Sequence, residues 1–427
     1  MGKYDVVNLD FPGKFSKQLK IALREHGEYP LNAGVKNKLK LQSKFKISLE
    51  EAIEFAERHV HIADTNDTHT NPLPYVQNWL NALRWEVCQY WSISQPESYF
   101  VREDSLLQFT WEHYVRSGEY LAEGIAVGLL SKRLGIDPRN FYFYKSGDVR
   151  PDFAIDIKNN KNVALLFGDE PIGLEVRSRQ SRPSFSNEDR NSIDNKKGKA
   201  GFVYLIFAYC YYGKGSHKKS GEPKTRVVLG DPPGEHAEHF TTEQTWLPAM
   251  QYYAGVCARI GLWAWRKHLL ARGQDLLAGH ERTEQLNPTN NDTDVLSRIT
   301  VGGIQFSGRW FNSLLFHAYT KNAHSPEEVA AKRQEVKRRW DAGEFGTYYF
   351  EGLDETVLRL IESNQWKKLR EFKSKVSKPV IIEYVRQEHG EGATLKIGAD
   401  GVLKLTKPLR PGSQEFTVIE QTIKNYD

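Results

Sequence analysis

The stretch Ile172–Arg179 alternates between apolar and charged positions, and this constrains the fold more than any other feature of the chain. Ile172, Leu174 and Val176 fall on one face, and Glu175, Arg177 and Arg179 on the other. Period-two alternation predicts a strand. A second alternation runs from Val149 to Ile157. It puts Val149, Pro151, Phe153, Ile155 and Ile157 on one face and Arg150, Asp152, Ala154 and Asp156 on the other. Pro151 cannot donate to a ladder, so it requires a strand start or a bulge. A bulge re-aims the side chain that follows, here Asp152. Phe141–Tyr144 reads as a short aromatic strand, Val163–Phe167 as another strand, and Ser184–Gly201 as a polar, partly helical segment. Phe202–Tyr212 is apolar and aromatic between glycines, as a buried central strand is. A further short strand is expected at Arg226–Leu229. The class is α+β.

Upstream, residues 104–134 have helical periodicity, with a break expected near Ser117-Gly118 and a C-cap at Gly135. Glu123 shares the apolar stripe of Tyr120, Val127, Leu130 and Leu134. A carboxylate there is costly unless it is paired or holds a metal. Glu119 lies one turn earlier. The alternative for both is a capping or salt-bridged glutamate. Asp152 and Glu175, projecting from neighbouring strands, supply the hard oxygen donors that magnesium takes. An ion held there lowers the pKa of its bound water and offsets charge on a scissile phosphate.

The order is a helix with Glu, a strand, a strand with Pro151-Asp152, a strand with Glu175-Val176-Arg177, a polar segment and an apolar strand. Over about residues 118–231 this resembles the PD-(D/E)XK superfamily, the restriction-endonuclease-like nucleases. The resemblance implies a mixed sheet flanked by helices and magnesium- or manganese-dependent hydrolysis of phosphodiester bonds in DNA, or in RNA. It implies metal binding by Asp152 and Glu175 with Glu119 or Glu123 assisting, and a role in defence against foreign nucleic acid. It also implies a lysine where this chain has Arg177. Arginine stays protonated and cannot act as a base, but it can clamp a phosphate. Three outcomes stay open: the site works with the arginine, a lysine from elsewhere (Lys145, Lys196 or Lys197) reaches it, or it no longer cuts. In the last case the chain is a nucleic-acid-binding or assembly subunit.

The net charge is only +5, so a nucleic-acid reading needs a local patch. Residues 177–226 supply one, with twelve Lys or Arg against four Asp or Glu. Arg179, Arg182, Lys196, Lys197, Lys199, Lys214, Lys218 and Lys219 are its candidate backbone contacts. Lys36, Lys38, Lys40, Lys44 and Lys46 read either as a solvated face or as a phosphate-contacting arm.

At 427 residues, with 39% hydrophobic and 12% aromatic content, the chain is globular and large enough for two or three domains. Residues 1–103 read as a mostly helical region, opened in part by a capping box at Ser48 and Glu51. Residues 104–281 read as the core with a long helix from 242, residues 282–376 as helical, and residues 377–427 as a small β module. Its strands are expected at Val380–Val385, Thr394–Ile397, Val402–Leu405 and Phe416–Ile419. The flanking regions suggest target recognition, a homo-oligomer or a protein partner. His59, His61, Asp64, Asp67 and His69 are ligand types in a turn-rich loop, and His236 and His239 do not match zincin spacing. Neither group reads as a metal site. Cys88, Cys210 and Cys257 form no disulfide or zinc pattern, which fits a reducing compartment. No apolar leader or spanning segment is visible, so no membrane and a cytoplasmic address are expected.

Overall fold

The computed structural model describes residues 18–59, 111–144, 150–158, 160–168, 170–179, 186–200, 202–212, 225–233, 244–280, 284–288, 296–312, 334, 337, 338, 340–343, 347–389, 392–414, 417 and 421. They divide into two units, with the boundary between Gly255 and Val256.

The strands of the first unit are β1 (Gln18–Glu25), β2 (Lys44–Ser48), β3 (Phe141–Phe143), β4 (Phe153–Ile155), β5 (Ile172–Arg179), β6 (Tyr204–Tyr212) and β7 (Thr225–Gly230). The helices are α1 (Ala33–Leu39), α2 (Leu49–His59), α3 (Trp111–Leu134), α4 (Lys161–Phe167), α5 (Asn187–Ala200) and the start of α6 (Leu247–Ile260). The strands make one mixed sheet in the order β2-β1-β7-β6-β5-β4-β3. β3, β4 and β5 form an antiparallel meander, and β6 runs parallel to β5. A parallel neighbour needs a crossover, and α5 supplies it. β7 is antiparallel to β6, β1 parallel to β7, and β2 antiparallel to β1. β6 is therefore the middle strand, and Leu205 to Cys210 are all buried.

Local chemistry sets the ends of these elements. The Ser48 amide donates to Glu51 Oε2 and the Glu51 amide donates to Ser48 Oγ, both at 3.0 Å, so the capping box opens α2. Glu51 Oε2 also meets Lys132 Nζ of α3 at 2.8 Å. The two helices pack closely because residue 124 has no side chain: a Cβ there would stand 1.9 Å from the Ala52 carbonyl oxygen. α3 ends at Gly135, whose φ is +72°. α5 opens with a second reciprocal cap. Ser186 donates through its amide and hydroxyl to Asp189 Oδ2, at 3.2 and 3.0 Å, and the Asp189 amide returns a bond to Ser186 Oγ at 3.0 Å. Strand β3 lies at the sheet edge. The Gln251 amide covers it, accepting from Phe143 N at 2.7 Å and donating to Phe143 O at 2.9 Å.

Several expectations for this unit are corrected. The N-terminal region is not mostly helical where it is described, because β1 and β2 join the sheet. α3 runs without a break through Ser117 and Gly118. Val163–Phe167 is helical, since Asn160 caps it by accepting from Val163 N at 3.3 Å. β4 keeps only three residues of the expected strand, with Pro151 ahead of it.

The second unit holds the end of α6, then α7 (Trp263–Leu277), β8 (Ser297–Val301), β9 (Ile304–Asn312), β10 (Thr347–Asp354), α8 (Glu355–Glu362), α9 (Trp366–Glu371), α10 (Lys378–Tyr384), β11 (Thr394–Ile397) and β12 (Val402–Pro408). Its five strands form an antiparallel sheet in the order β11-β12-β10-β9-β8. The region expected to be helical from 282 to 376 thus supplies three strands. Val380–Val385, expected as a strand, is instead mostly α10, with Pro379 in its first turn. The long helix expected from 242 to 280 is two, divided at Gly261, where φ is +83°. Phe306, Phe350, Leu403 and Leu405 form the centre of one core cluster, against which Val380 and Tyr384 pack. Among the described residues, no helix is long and apolar enough to cross a membrane.

Candidate functional site

Strands β4 and β5 bring the two predicted carboxylates together. Their ladder pairs Phe153 with Leu174 and goes no further. Asp152 stands just before β4, and its Oδ2 accepts the next free amide of β5, Val176 N, at 2.7 Å. The carboxylate thus continues the ladder where Pro151 interrupts the strand, which fixes its position beside Glu175.

The Glu175 side chain is completely buried. Its Oε1 faces Arg177 Nη2 at 2.6 Å in an ion pair without hydrogen-bond geometry. Its Oε2 accepts from Lys196 Nζ of α5, also at 2.6 Å. Of the two described lysines weighed for the site, Lys196 reaches it. The adjacent Lys197 turns elsewhere: it is buried and donates to Asp231 Oδ1 at 2.8 Å and to the Pro232 carbonyl. That removes Lys197 from the candidate phosphate contacts, because its ammonium is spent inside the fold. Lys145 lies outside the described residues.

The electrostatics bind these residues to α3. Burial, then the carboxylates of Asp152, Glu119 and Glu175, raise the Glu123 carboxyl well above its usual range. Burial also raises Asp152, against the Val176 amide, Lys196 and Arg177. For Glu175, burial and Asp152 together push the carboxyl up to about 7, against Arg177 and Lys196. Arg177 loses hydration, but Glu175 and Asp152 more than offset that loss and raise its pKa, so it stays cationic. Glu119 is exposed at the rim. The predicted acidic residues are thus gathered, and burial holds Glu123, Asp152 and Glu175 closer to neutrality than carboxylates in water.

The donor chemistry fits a hard divalent cation. Among the described residues, no three His, Cys, Asp or Glu side chains close on a common point. Magnesium does not require that, since it binds through one or two carboxylates and keeps several waters. Asp152 and Glu175 meet that need, and mutual repulsion between them is what a cation would relieve.

Arg179 and Lys199 lie in β5 and α5 by their backbone. Arg182, Lys214, Lys218, Lys219, His61, Asp64, Asp67, His69, His236, His239, Cys88 and Phe416 lie outside the described residues. Cys210 and Cys257 are buried free thiols, raised by desolvation and unreactive in that state. Two supporting features were missed in the sequence. Asp231, partner of Lys197, follows β7 without a distinguishing signal. The Ser186–Asp189 cap has one, the Ser-x-x-Asp spacing.

Comparison of the chain with family models, curated proteins and solved structures finds no match.

Proposed function

We propose that the chain is a metal-dependent nuclease that hydrolyses phosphodiester bonds in DNA or RNA. The observation that carries the reading is the contact of Lys196 with Glu175, beside Asp152. It supplies, from a helix, the lysine that β5 lacks at Arg177. The meander β3-β4-β5 followed by α5 and a parallel β6 supports a restriction-endonuclease-like core.

Magnesium or manganese bound by Asp152 and Glu175, with Glu123 and Glu119 beside them, would supply an activated water and neutralise phosphate charge. The chain's own groups do the positioning. Lys196 has three donor protons and spends one on Glu175, which leaves two for a water or a phosphate oxygen. Arg177 stays charged and presents a planar fork suited to two phosphate oxygens. Both cations sit beside the buried Glu175, mostly withdrawn from solvent, where a charge counts for more than in water. The resemblance alone carries a role in defence against foreign nucleic acid.

One observation favours a second reading, a binding or assembly subunit without turnover. Both Glu175 oxygens already face cations of the chain itself. The two readings part in a cleavage assay on plasmid, linear and single-stranded DNA and on RNA, with magnesium, manganese or chelator. The nuclease reading expects cutting that needs metal and is abolished by Asp152→Ala. It also expects Lys196→Gln to slow turnover by about 100-fold or more. Cutting by Asp152→Ala, or cutting in chelator, would refute it. Salt-sensitive binding with no cutting in any metal would favour the subunit.

A further inference from the structure

Beside the two carboxylates the sheet carries an arginine that the site just described does not use. The Tyr144 amide donates to the Asp152 carbonyl at 2.9 Å, which extends the ladder of β3 and β4 by one pair. On the other side of β4, Phe153 pairs with Leu174, so one step on Asp152 comes level with Glu175. Tyr144, Asp152 and Glu175 therefore occupy consecutive positions of one row across three strands. Tyr144 packs with Ala154 and Phe202, and Ala154 alternates in phase with Asp152 two residues earlier. Arg150 closes the row. Its guanidinium carbon lies over the Tyr144 ring, 5.2 Å from the centroid, within the range of a cation–π attraction.

Arg150 is exposed, and among the described residues no acid pairs with it. Its charge acts on the Tyr142 phenol, against the burial that raises that group. Pro151 disfavours helical backbone for the residue before it, so the proline that interrupts β4 also restricts how Arg150 can leave the chain. A guanidinium over a ring uses its face and leaves its in-plane N–H donors unspent. Stacking by itself does not explain this. Arg133 also lies over a ring, that of Phe45 at 5.8 Å, but gives its Nη2 to the Lys44 carbonyl at 3.2 Å and to Ser43 Oγ at 3.4 Å. Arg177 and Lys196, on the other side of Asp152, both face Glu175. Arg150 alone of these four cations is held in place by the fold with its donors uncommitted.

We propose that Arg150 holds the phosphate next to the one being cut, on the side of Asp152 away from Arg177 and Lys196. The inference rests on the nuclease reading, which makes Asp152 and Glu175 the place of the scissile phosphate. Neighbouring strands are about 4.8 Å apart, so Tyr144 and its arginine stand one strand beyond Asp152, as the next phosphate of a continuous backbone would. The contact makes Arg150 a positioning residue. It fixes the path of the nucleic acid across β5, β4 and β3 and takes no part in the chemical step.

The test pairs cleavage kinetics in magnesium with binding in chelator across a salt series, on labelled single- and double-stranded DNA and RNA. It compares wild type with Arg150→Gln and Arg150→Lys. The side chain is exposed, so both variants should melt with the wild type. Losing a charge-assisted contact should raise KM about 10-fold or more in Arg150→Gln. A contact made equally before and during the reaction leaves kcat unchanged when it is lost. The slope of log affinity against log salt should fall by about 0.9 on a duplex, or by about 0.7 on a single strand. Arg150→Lys keeps the charge and should restore the slope, but without the planar fork it should regain only part of the KM. Wild-type KM and slope in Arg150→Gln would overturn the contact and leave the nuclease reading standing. A fall in kcat with KM unchanged would also overturn it, by placing Arg150 at the reacting phosphate. Binding without cutting would overturn the nuclease reading alone, and the slope would still decide the contact. A wild type that neither binds nor cuts would overturn both.

Discussion

The carboxylates around Glu175 should make the metal-free protein lose stability as pH rises. Burial and Asp152 move the Glu175 carboxyl from an ordinary 4.5 up to about 7. Between those values the folded state holds a proton that the unfolded chain has released. The stabilisation is therefore complete below the ordinary value and is lost as pH passes through the raised one. A carboxyl moved that far corresponds to about 3 kcal/mol, and Lys196 and Arg177 face it throughout. His26 and His268 act in the opposite sense, since burial lowers both. A difference against Asp152→Asn cancels them. That variant removes the charge that raises Glu175, while its amide oxygen can still accept from Val176 N. The assay is urea unfolding in chelator at about pH 5 and pH 8. Wild type should lose stability over this interval, and Asp152→Asn should lose less and be the more stable protein at the higher pH. Magnesium should restore part of the wild-type loss there, because it binds the ionised carboxylates. A wild type that is equally stable or more stable at the higher pH would refute the reasoning. So would an Asp152→Asn variant less stable than wild type at that pH.

Gly124→Ala should destabilise by more than about 3 kcal/mol in thermal or urea unfolding, because its Cβ would stand 1.9 Å from the Ala52 carbonyl oxygen. Ser48→Ala removes the acceptor for the Glu51 amide and should cost about 1 kcal/mol in the same assay. Glu351→Ala leaves the buried Arg259 guanidinium without its 2.5 Å partner and should cost about 3–5 kcal/mol. Pairing it with Arg259→Met should recover most of that loss.

Strands with a charged face and an apolar face were legible in the sequence. β5 occupies the residues that its alternation marked, and the glycine-bounded aromatic run is the central strand. The capping box at Ser48 also holds. The failures have physical causes. Lys44-Phe45-Lys46-Ile47 has the period of a strand, but five lysines in a short stretch read as a solvated face. Ser297–Val301 is five residues long, too short to outweigh the helical pattern around it. The run Val380-Ile381-Ile382 has strand propensity, yet Pro379 fits the first turn of a helix and packing against the second sheet decides for α10. Asp152 and Glu175 could be placed on neighbouring strands from the two alternations, the order of the elements and the resemblance. Which lysine joins them could not, because it arrives from a helix and depends on the phase of α5.

That phase has a consequence for how the chain can change. Consecutive helical residues point about 100° apart, so Lys196 and Lys197 serve two masters, Glu175 and Asp231. Ile193 anchors the same helix in the core with Leu205, Phe207 and Tyr209. One residue inserted or deleted between Ile193 and Lys196 would turn both ammonium groups away from both acids at once. The Ser186–Asp189 cap sets where that phase begins. Related chains should therefore keep a fixed count from Ser186 to Lys197.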